Sequence, residues 1–188
     1  SYFASQFLLN HRSMLRQELE VDLAEQTNLK QAAGRIQKEL KAVQSREQQL
    51  LSQLRAAYES SPNGLLVVNS KATAVMGANQ RFFETFDLKA EEAGELKPAD
   101  LVQKLAVRLA EPDAFLDWWD ETVEEGEGNV AHEWKLTGTE HRVLEFSSRS
   151  LDGDDEKPFA VLWGIEDVTE RQRIERKIRT AEKSVSYT

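Results

Sequence analysis

The sequence predicts an α+β protein, in which a long helix precedes an antiparallel sheet that carries helices on one face. Two observations lead to this fold class. Residues 1–59 contain no proline and repeat apolar side chains at heptad spacing, which is typical of a coiled-coil helix. The residues after position 59 contain short apolar segments, which predict, in chain order, two strands, several helices and three strands. That order favours an antiparallel sheet.

Composition excludes several classes of function. The chain has 188 residues, a net charge of −9 and no cysteine, so disulfides, thiolate metal sites and cysteine nucleophiles are excluded. Residues 61–168 hold 10 basic and 23 acidic side chains, and nucleic-acid phosphates repel such a segment. No apolar run approaches the roughly 18 residues that cross a bilayer. We therefore expect a cytoplasmic segment without nucleic-acid or membrane contact, from a longer parent protein that could be membrane-anchored upstream.

Residues 3–59 form one predicted helix, rich in Glu, Gln, Leu, Ala, Lys and Arg. At 1.5 Å per residue the helix would be about 85 Å long, too long to bury its apolar stripe within one small domain. A parallel homodimeric coiled coil would cover the stripe, and a helix folded back on its own domain is the alternative. The predicted dimer seam includes Leu15, Leu19, Leu29, Ile36, Leu40, Val43, Leu50 and Leu54.

The long helix is expected to end at the Ser60–Gly64 turn, because proline and glycine break the pattern there. Short apolar or alternating segments then predict five strands. Trp163 lies in the middle of the last one and is expected to be buried. The predicted strands are 64–69, 72–76, 130–136, 142–150 and 159–168.

Helices are predicted between the second and third strands. Asn79 is expected to cap a helix from Gln80 to Phe86, and Asp100 is expected to cap a helix that runs to Leu109. The helical spacing of apolar residues is interrupted at Pro112 and starts again at Asp113. Residues 91–99 are expected to form a loop.

No catalytic or metal-binding motif is complete. The segment Gly126–Ala131 (GEGNVA) matches a dinucleotide fingerprint, but it would follow a helix and open a strand, which is the wrong order for that motif. His132 and Glu133 lack the second histidine that a zinc-protease motif requires at position 136, which is Leu136. The segment is therefore predicted to be non-catalytic, with no metal site.

Four segments resemble the PAS sensor domain. Tyr58–Asn69 (YESSPNGLLVVN) is similar to the family's opening, Ala78–Phe83 (ANQRFF) to the helix after the second strand, and Gly164–Arg171 (GIEDVTER) to the exit motif. Leu109–Leu116 (LAEPDAFL) is similar to a subgroup in bacterial sensor kinases and diguanylate cyclases. The resemblance covers about residues 56–175. The predicted parts are a coiled-coil signalling helix at 1–59, a PAS domain at 60–168 and the start of a coupling helix at 169–188.

The resemblance implies a five-stranded sheet whose helices surround a central pocket, within a dimeric signalling protein. It also implies that Asp167 and Thr169 bond locally where the last strand passes into a coupling helix, and so couple the signal. The residues themselves favour Thr169 as the N-cap of that helix, with Glu170 adding charge to its first turn. Four apolar residues then predict the start of a second coiled coil: Ile174, Ile178, Ala181 and Val185.

No cofactor is predicted. Relatives that form a cysteinyl flavin adduct need a cysteine, which this chain lacks. Haem-binding relatives commonly place a histidine on the long helix before the third strand, and residues 98–125 contain none. A small-molecule ligand of unknown identity is left open. Six aromatic residues are expected to fill a packed core or to line a ligand pocket: Phe82, Phe115, Trp119, Trp134, Phe146 and Trp163.

The sequence thus predicts a non-catalytic, dimeric sensor and relay module of a bacterial signalling protein. The module would pass a signal from an upstream coiled coil through the PAS domain to a C-terminal output domain of the same chain. A histidine kinase of a two-component system is the expected output, with a diguanylate cyclase as the alternative. A dimerisation spacer without a ligand is the third interpretation.

Overall fold

The structure is a computed structural model that describes residues 2–125, 131–138, 140–153 and 157–187, with backbone only at 93–95. The chain divides into two compact units, residues 1–55 and 56–188. The matched dinucleotide fingerprint at 126–130 lies outside the described residues, apart from its final Ala131.

The first element is a single helix, α1, from Tyr2 to Glu59, and none of its residues is buried in the single chain. The predicted long helix is therefore present, with its end at the predicted residue. Unbroken helix formers explain the length, since no proline removes a backbone hydrogen bond before Pro62. The eight predicted seam residues are all exposed, with between 53% and 69% of their surface accessible.

A five-stranded antiparallel sheet forms the centre of the second unit. Its strands are β1 (Gly64–Asn69), β2 (Val75–Ala78), β3 (Ala131–Lys135), β4 (Val143–Asp152) and β5 (Pro158–Asp167). They lie in the order β2-β1-β5-β4-β3, so the central strand is β5, which pairs with β1 on one side and β4 on the other. The predicted α+β class and five-stranded sheet are confirmed.

Helices pack against the sheet and supply about half of one hydrophobic core. The helices after α1 are α2 (Gln80–Phe86), α3 (Ala90–Glu95), α4 (Pro98–Ala106), α5 (Pro112–Glu125) and α6 (Thr169–Ser186). The core joins α2, α4 and α5 to side chains of β1, β3, β4 and β5. The last helix, α6, follows β5 directly.

The second strand begins later than predicted. Ala72 has φ of 51°, a left-handed conformation that interrupts a strand. The Asn69 side chain also accepts hydrogen bonds from the amides of Thr73 and Ala74, at 2.8 and 2.9 Å. Those amides are then unavailable to a neighbouring strand, so 72–74 form a turn and the strand extends through Ala78 instead of ending at Met76.

Three predictions in the helical region are wrong. Residues 90–95 form the short helix α3 where a loop was expected, because Ala and Glu favour helix and acidic residues stabilise its first turn. Asp100 does not cap α4; the helix begins at Pro98 after Lys97, and Asp100 lies in its first turn. The helix also ends at Ala106, and Leu109 lies beyond it in an isolated bridge to Leu136.

The ends of the last three strands shift by one or two residues from the predicted ones. Val130 lies outside the described residues, and Leu136 belongs to the isolated bridge and not to β3. The fourth strand continues past Ser150 to Asp152. Val168 leaves the sheet, since its φ and ψ of −102° and 13° are no longer extended.

Candidate functional site

The C-terminal corner is where β5 ends and α6 begins, and it consists of Arg142, Val143, Asp167 and Thr169. The Asp167 carboxylate accepts hydrogen bonds from both the hydroxyl and the amide of Thr169. The Thr169 hydroxyl accepts a bond of 2.9 Å from the Val143 amide. Arg142 donates two bonds to the other Asp167 oxygen, at 3.0 and 2.9 Å. The corner therefore ties α6 to the ends of both β4 and β5.

The predicted N-cap is wrong. Val168 occupies the N-cap position without a side-chain cap, and Thr169 is the first residue of α6. Asp167 instead satisfies the free Thr169 amide from one residue further upstream. The hydroxyl of Thr169 then bonds across to β4 and not to its own helix. The local bond between Asp167 and Thr169 is present, while its signalling role remains a proposal.

The electrostatics of this corner favour the ionised carboxylate. Partial burial of Asp167 raises its pKa, but hydrogen bonds from Thr169 and the charge of Arg142 outweigh burial and hold the pKa below its ordinary value. Asp167 and Arg142 remain accessible over 41% and 37% of their side-chain surface. Water and salt therefore reach this ion pair.

A second polar contact lies two to three residues further along α6, still in its first turn. We call it the outer clamp, and it consists of Glu133, Glu145, Arg171 and Gln172. Arg171 lies 3.0 Å from the Glu145 carboxylate on β4 and 3.6 Å from that of Glu133 on β3. Gln172 donates a further hydrogen bond to Glu133. Exposed ion pairs contribute little stability because water and salt screen them, so the outer clamp holds α6 weakly.

The N-terminal corner, where the end of α1 meets β1 and α2, is built around Asn79. Its side chain makes four hydrogen bonds and is fully buried. The oxygen accepts from the amides of Leu65 and Phe82, at 2.8 and 3.0 Å. The nitrogen donates to the carbonyls of Tyr58 and Asn63, both at 3.0 Å. The predicted helix cap is therefore confirmed, and the same side chain also fixes three other segments.

Tyr58 completes the N-terminal corner. Its hydroxyl lies 3.3 Å from the Leu65 carbonyl, to which it donates a hydrogen bond. Burial, with a smaller contribution from the charge of Glu59, raises the pKa of Tyr58 to about 12. Glu59 in turn accepts a bond of 2.9 Å from the Gln80 amide at the start of α2.

The six aromatic residues predicted for the interior all lie in one buried cluster. Phe115 lies 5.4 Å from Trp134 and 5.2 Å from Phe146 between ring centroids, and Trp119 stacks on Trp163 at 3.9 Å and 19°. Sequence analysis did not include Trp118, which is partly buried against this cluster and lies within 6.4 Å of five other rings. Most of the predicted pocket is thus a packed aromatic core.

A cavity of about 70 Å³ lies beside this core. It is enclosed by the turn after β1, the end of α5 and the inner face of β4 and β5. Trp119 and Trp163 line it, whereas Phe82, Phe115, Trp134 and Phe146 do not. The structure therefore separates the predicted pocket residues into two that reach a cavity and four that fill the core.

Several residues of these sites were not predicted from the sequence. Ser148 lines the cavity and is 4% exposed. A signal for it was present, because it continues the inward alternation of Leu144 and Phe146 along the fourth strand, where a polar residue is unexpected. Nothing in the sequence indicated the contacts of Arg142 and Arg171, because the residues that they contact lie far from them along the chain.

The described residues contain no group of three or more His, Asp or Glu side chains placed to hold a metal ion. Within the same part of the chain, no helix has both the length and the apolar content needed to cross a membrane.

Comparison with known proteins identifies the family. The family model described as the PAS fold matches residues 58–173, which is more than half of the chain. A comparison with curated proteins finds no match.

Three solved structures illustrate the similarity. The PAS domain of Bordetella pertussis BvgS is 15% identical, with a TM-score of 0.47 over 72% of this chain and 98% of that one. A PAS domain from Colwellia psychrerythraea is 15% identical, with a TM-score of 0.49 over 64% and 98%. A sensory box histidine kinase/response regulator from Burkholderia thailandensis is 18% identical, with a TM-score of 0.46 over 72% and 98%. Because the family model covers more than half of its length, the chain belongs to the PAS fold family.

Proposed function

We propose that the chain is a non-catalytic, dimeric sensor and relay module. A coiled coil formed by α1 brings a signal to the PAS domain, and α6 passes it to an output domain that follows in the same polypeptide. A histidine kinase is the proposed output. The observation that carries the proposal is the C-terminal corner, because it links the central strand of the sheet to the helix that leaves the domain.

The geometry of this corner supports a mechanical role. Any movement of β5 displaces Asp167, and Asp167 holds the first amide of α6 directly. The Thr169 hydroxyl ties the same helix start to β4. A shift between the two strands therefore changes both attachments of α6 and tilts or rotates the helix.

The relay is tested in the parent protein by measuring output activity. Thr169→Ala removes the hydroxyl that bonds to Val143 and Asp167, and we expect it to change basal activity or abolish its response to the signal. Thr180→Ala is the matched control, because the Thr180 hydroxyl bonds only to the Arg176 carbonyl of its own helix. Wild-type activity and response in both variants would leave the corner a structural feature without a role in signalling.

Dimerisation is supported by the exposed heptad stripe of α1, since leucines at this density on one face are covered by a second helix in coiled coils. We expect light scattering to give twice the chain mass of 21.4 kDa. Replacing both Leu40 and Leu50 by Gln should dissociate the dimer. Leu51→Gln, next to the seam and equally exposed, is the control. A monomeric wild-type chain at micromolar concentration would contradict the proposal.

Two alternatives make different predictions. A diguanylate cyclase as output would give a protein that condenses GTP and transfers no phosphate to histidine. A dimerisation spacer would dimerise in the same way, but neither a ligand nor Thr169→Ala would alter its output. The same activity measurements therefore distinguish all three.

A further inference from the structure

We propose that the free edge of β3 binds an extended, basic peptide segment of a partner protein, which adds a sixth strand to the sheet. The free edge consists of Ala131, His132 and Glu133, and all three residues are exposed. Such binding is additional to the proposed relay function and does not depend on it.

The backbone groups that point outward from β3 follow from its pairing with β4. The Leu136 amide donates to the Arg142 carbonyl at 2.9 Å, and because hydrogen-bonded pairs alternate along antiparallel strands, His132 also bonds toward β4. The backbone N–H and C=O groups of Ala131 and Glu133 therefore point away from the sheet. No hydrogen bond among the described residues uses these outward groups.

The other end of β3 already has a partner on this side. The Ala110 amide donates to the Lys135 carbonyl at 2.8 Å, so Ala110 occupies the position of a sixth strand. The helix α5 begins at Pro112, and the chain leaves that position before it can pair with Glu133. A peptide that binds to the free edge would continue a row of hydrogen bonds that the protein itself has started.

The two edges of the sheet differ in how well they resist such pairing. The strand β2 has four residues, a register shift against β1 and contacts with α3. Short, irregular or covered edges hinder pairing with another chain. The strand β3, in contrast, pairs with β4 through five consecutive residues without a register shift and contains no proline. Extended peptides add to regular edges of this kind.

Uncompensated negative charge on α5 selects a basic partner. This helix carries six acidic and no basic side chains, and all six are exposed. Within the described part of the chain, none of these carboxylates forms an ion pair. A second copy of the chain would bring the same negative charge to the free edge and be repelled, so the charge favours a basic peptide over an edge-to-edge dimer.

Trp118 brings part of this charge close to the free edge. Its ring lies 5.7 Å from that of His132, between centroids, and remains partly exposed. Glu121 and Glu125 follow Trp118 by three and seven positions, so they lie on the same face of α5. A lysine or arginine of the added strand can lie against the Trp118 ring and pair with a neighbouring carboxylate. Because strand side chains alternate between the two faces, basic residues at every second position fit best.

Two eight-residue peptides with blocked ends test the pairing and its charge. One alternates lysine with threonine, and the other alternates glutamate with threonine. Each is titrated into the 188-residue chain while the backbone amide signals are followed by NMR. The lysine peptide should shift the amide signals of Ala131 and Glu133 and slow their hydrogen exchange, and the glutamate peptide should leave them unchanged. Amides of β2, at the opposite edge of the sheet, serve as the internal reference.

Ala131→Pro tests the backbone contribution. Proline removes the outward amide, and it is tolerated at edge positions where that amide faces solvent, so the fold should be retained. We expect the lysine peptide to bind roughly tenfold more weakly, or worse, because one hydrogen bond is lost and the ring obstructs the added strand. Ala131→Val keeps the amide and should bind the peptide as the wild type does.

Glu121→Gln tests the charge without touching β3. Binding of the lysine peptide should weaken by roughly two- to fivefold, the range that one exposed ion pair supplies. Glu91→Gln is the matched control, since it removes the same charge from α3, which contacts the opposite edge strand. It should leave the binding unchanged.

Any of four results would overturn the proposal. They are the absence of shifts at Ala131 and Glu133 with the lysine peptide, equally tight binding of the two peptides, wild-type binding by Ala131→Pro, and equal effects of Glu121→Gln and Glu91→Gln. Shifts of the same amides on raising the concentration of the chain alone would identify a second copy as the occupant and also contradict it. Dimerisation through α1 and the effect of Thr169→Ala are measured separately, so the two proposals fail independently.

Discussion

Asn79 at the N-terminal corner is neutral and fully buried, whereas Asp167 and Arg142 at the C-terminal corner are charged and more than one third exposed. Both corners attach a helix to the sheet through several hydrogen bonds. Inside the protein, an unpaired polar group costs free energy of folding, so the hydrogen bonds of Asn79 are either all present or are lost together when the domain unfolds. At the surface, water and salt replace a lost ion pair at little cost. We therefore expect the hydrogen bonds of the N-terminal corner to stay intact in the folded protein. The polar contacts of the C-terminal corner, in contrast, can break while the domain remains folded.

The largest expected effect is that of Asn79→Ala. It removes four hydrogen bonds around a fully buried position, although the Phe82 amide keeps a bond of 3.1 Å to the Asn79 carbonyl, so we expect a loss of about 3 kcal/mol or more in the free energy of unfolding. Urea denaturation measures it. Asn69→Ala is the control, because Asn69 makes a similar number of bonds within an exposed turn and should cost about 1 kcal/mol. Equal losses would remove the distinction between a buried network and a surface one.

Thr169→Val tests the C-terminal corner with a side chain of the same shape. The Val143 amide and the Asp167 carboxylate each lose a partner, so we expect about 1–2 kcal/mol of destabilisation. Thr180→Val should cost less than about 0.5 kcal/mol, since it removes one exposed bond within a helix. Similar values for the two variants would mean that the corner contributes no more than an ordinary helical threonine.

Acid should weaken the C-terminal corner. The pKa of Asp167 is lower in the folded chain than in the unfolded one, so the unfolded state takes up its proton first as the pH falls. The stability that Asp167 contributes is therefore present above the ordinary carboxyl range and is lost on acidification below it. Asp167→Asn should flatten this part of the stability curve, measured by urea denaturation at stepped pH. A variant curve parallel to that of the wild type would contradict the account.

Alkali should weaken the N-terminal corner. The pKa of Tyr58 is raised to about 12, so the folded state holds the phenolic proton when the unfolded state, near pH 10, has begun to lose it. Stability should fall as the pH rises through that interval. Tyr58→Phe cannot titrate and should remove that part of the fall. If the phenylalanine variant loses stability just as steeply, Tyr58 is not the responsible group.

The sequence predicted the elements that depend on local patterns. Asn79 as a cap, the three buried phenylalanines of α2, the length of α1 and the central position of Trp163 all follow from spacing and residue type. Local rules also explain one error, since Asn69 and a left-handed Ala72 produce a turn where β propensity favours a strand.

The contacts between distant segments could not be predicted in this way. Arg142 meets Asp167, and Arg171 meets Glu133 and Glu145, only because the sheet places β3, β4 and β5 side by side. The cavity also depends on packing, because no sequence pattern distinguishes an aromatic residue that lines a space from one that fills it. Ser148 could have been predicted, because it is a polar residue at an inward-facing position of a strand.

Hydrogen exchange of backbone amides measures most directly whether polar contacts at the protein surface hold α6 on the sheet and can be released without unfolding the domain. Arg171→Ala is compared with Arg179→Ala, a substitution further along α6. We expect faster exchange in the first turns of α6 for Arg171→Ala, and for the wild type in about 1 M salt, where the screening length falls to about 3 Å. Amides around Asn79 should keep their wild-type rates. Unchanged exchange in α6, or equal acceleration at both corners, would show that these contacts do not hold α6 independently of the rest of the fold.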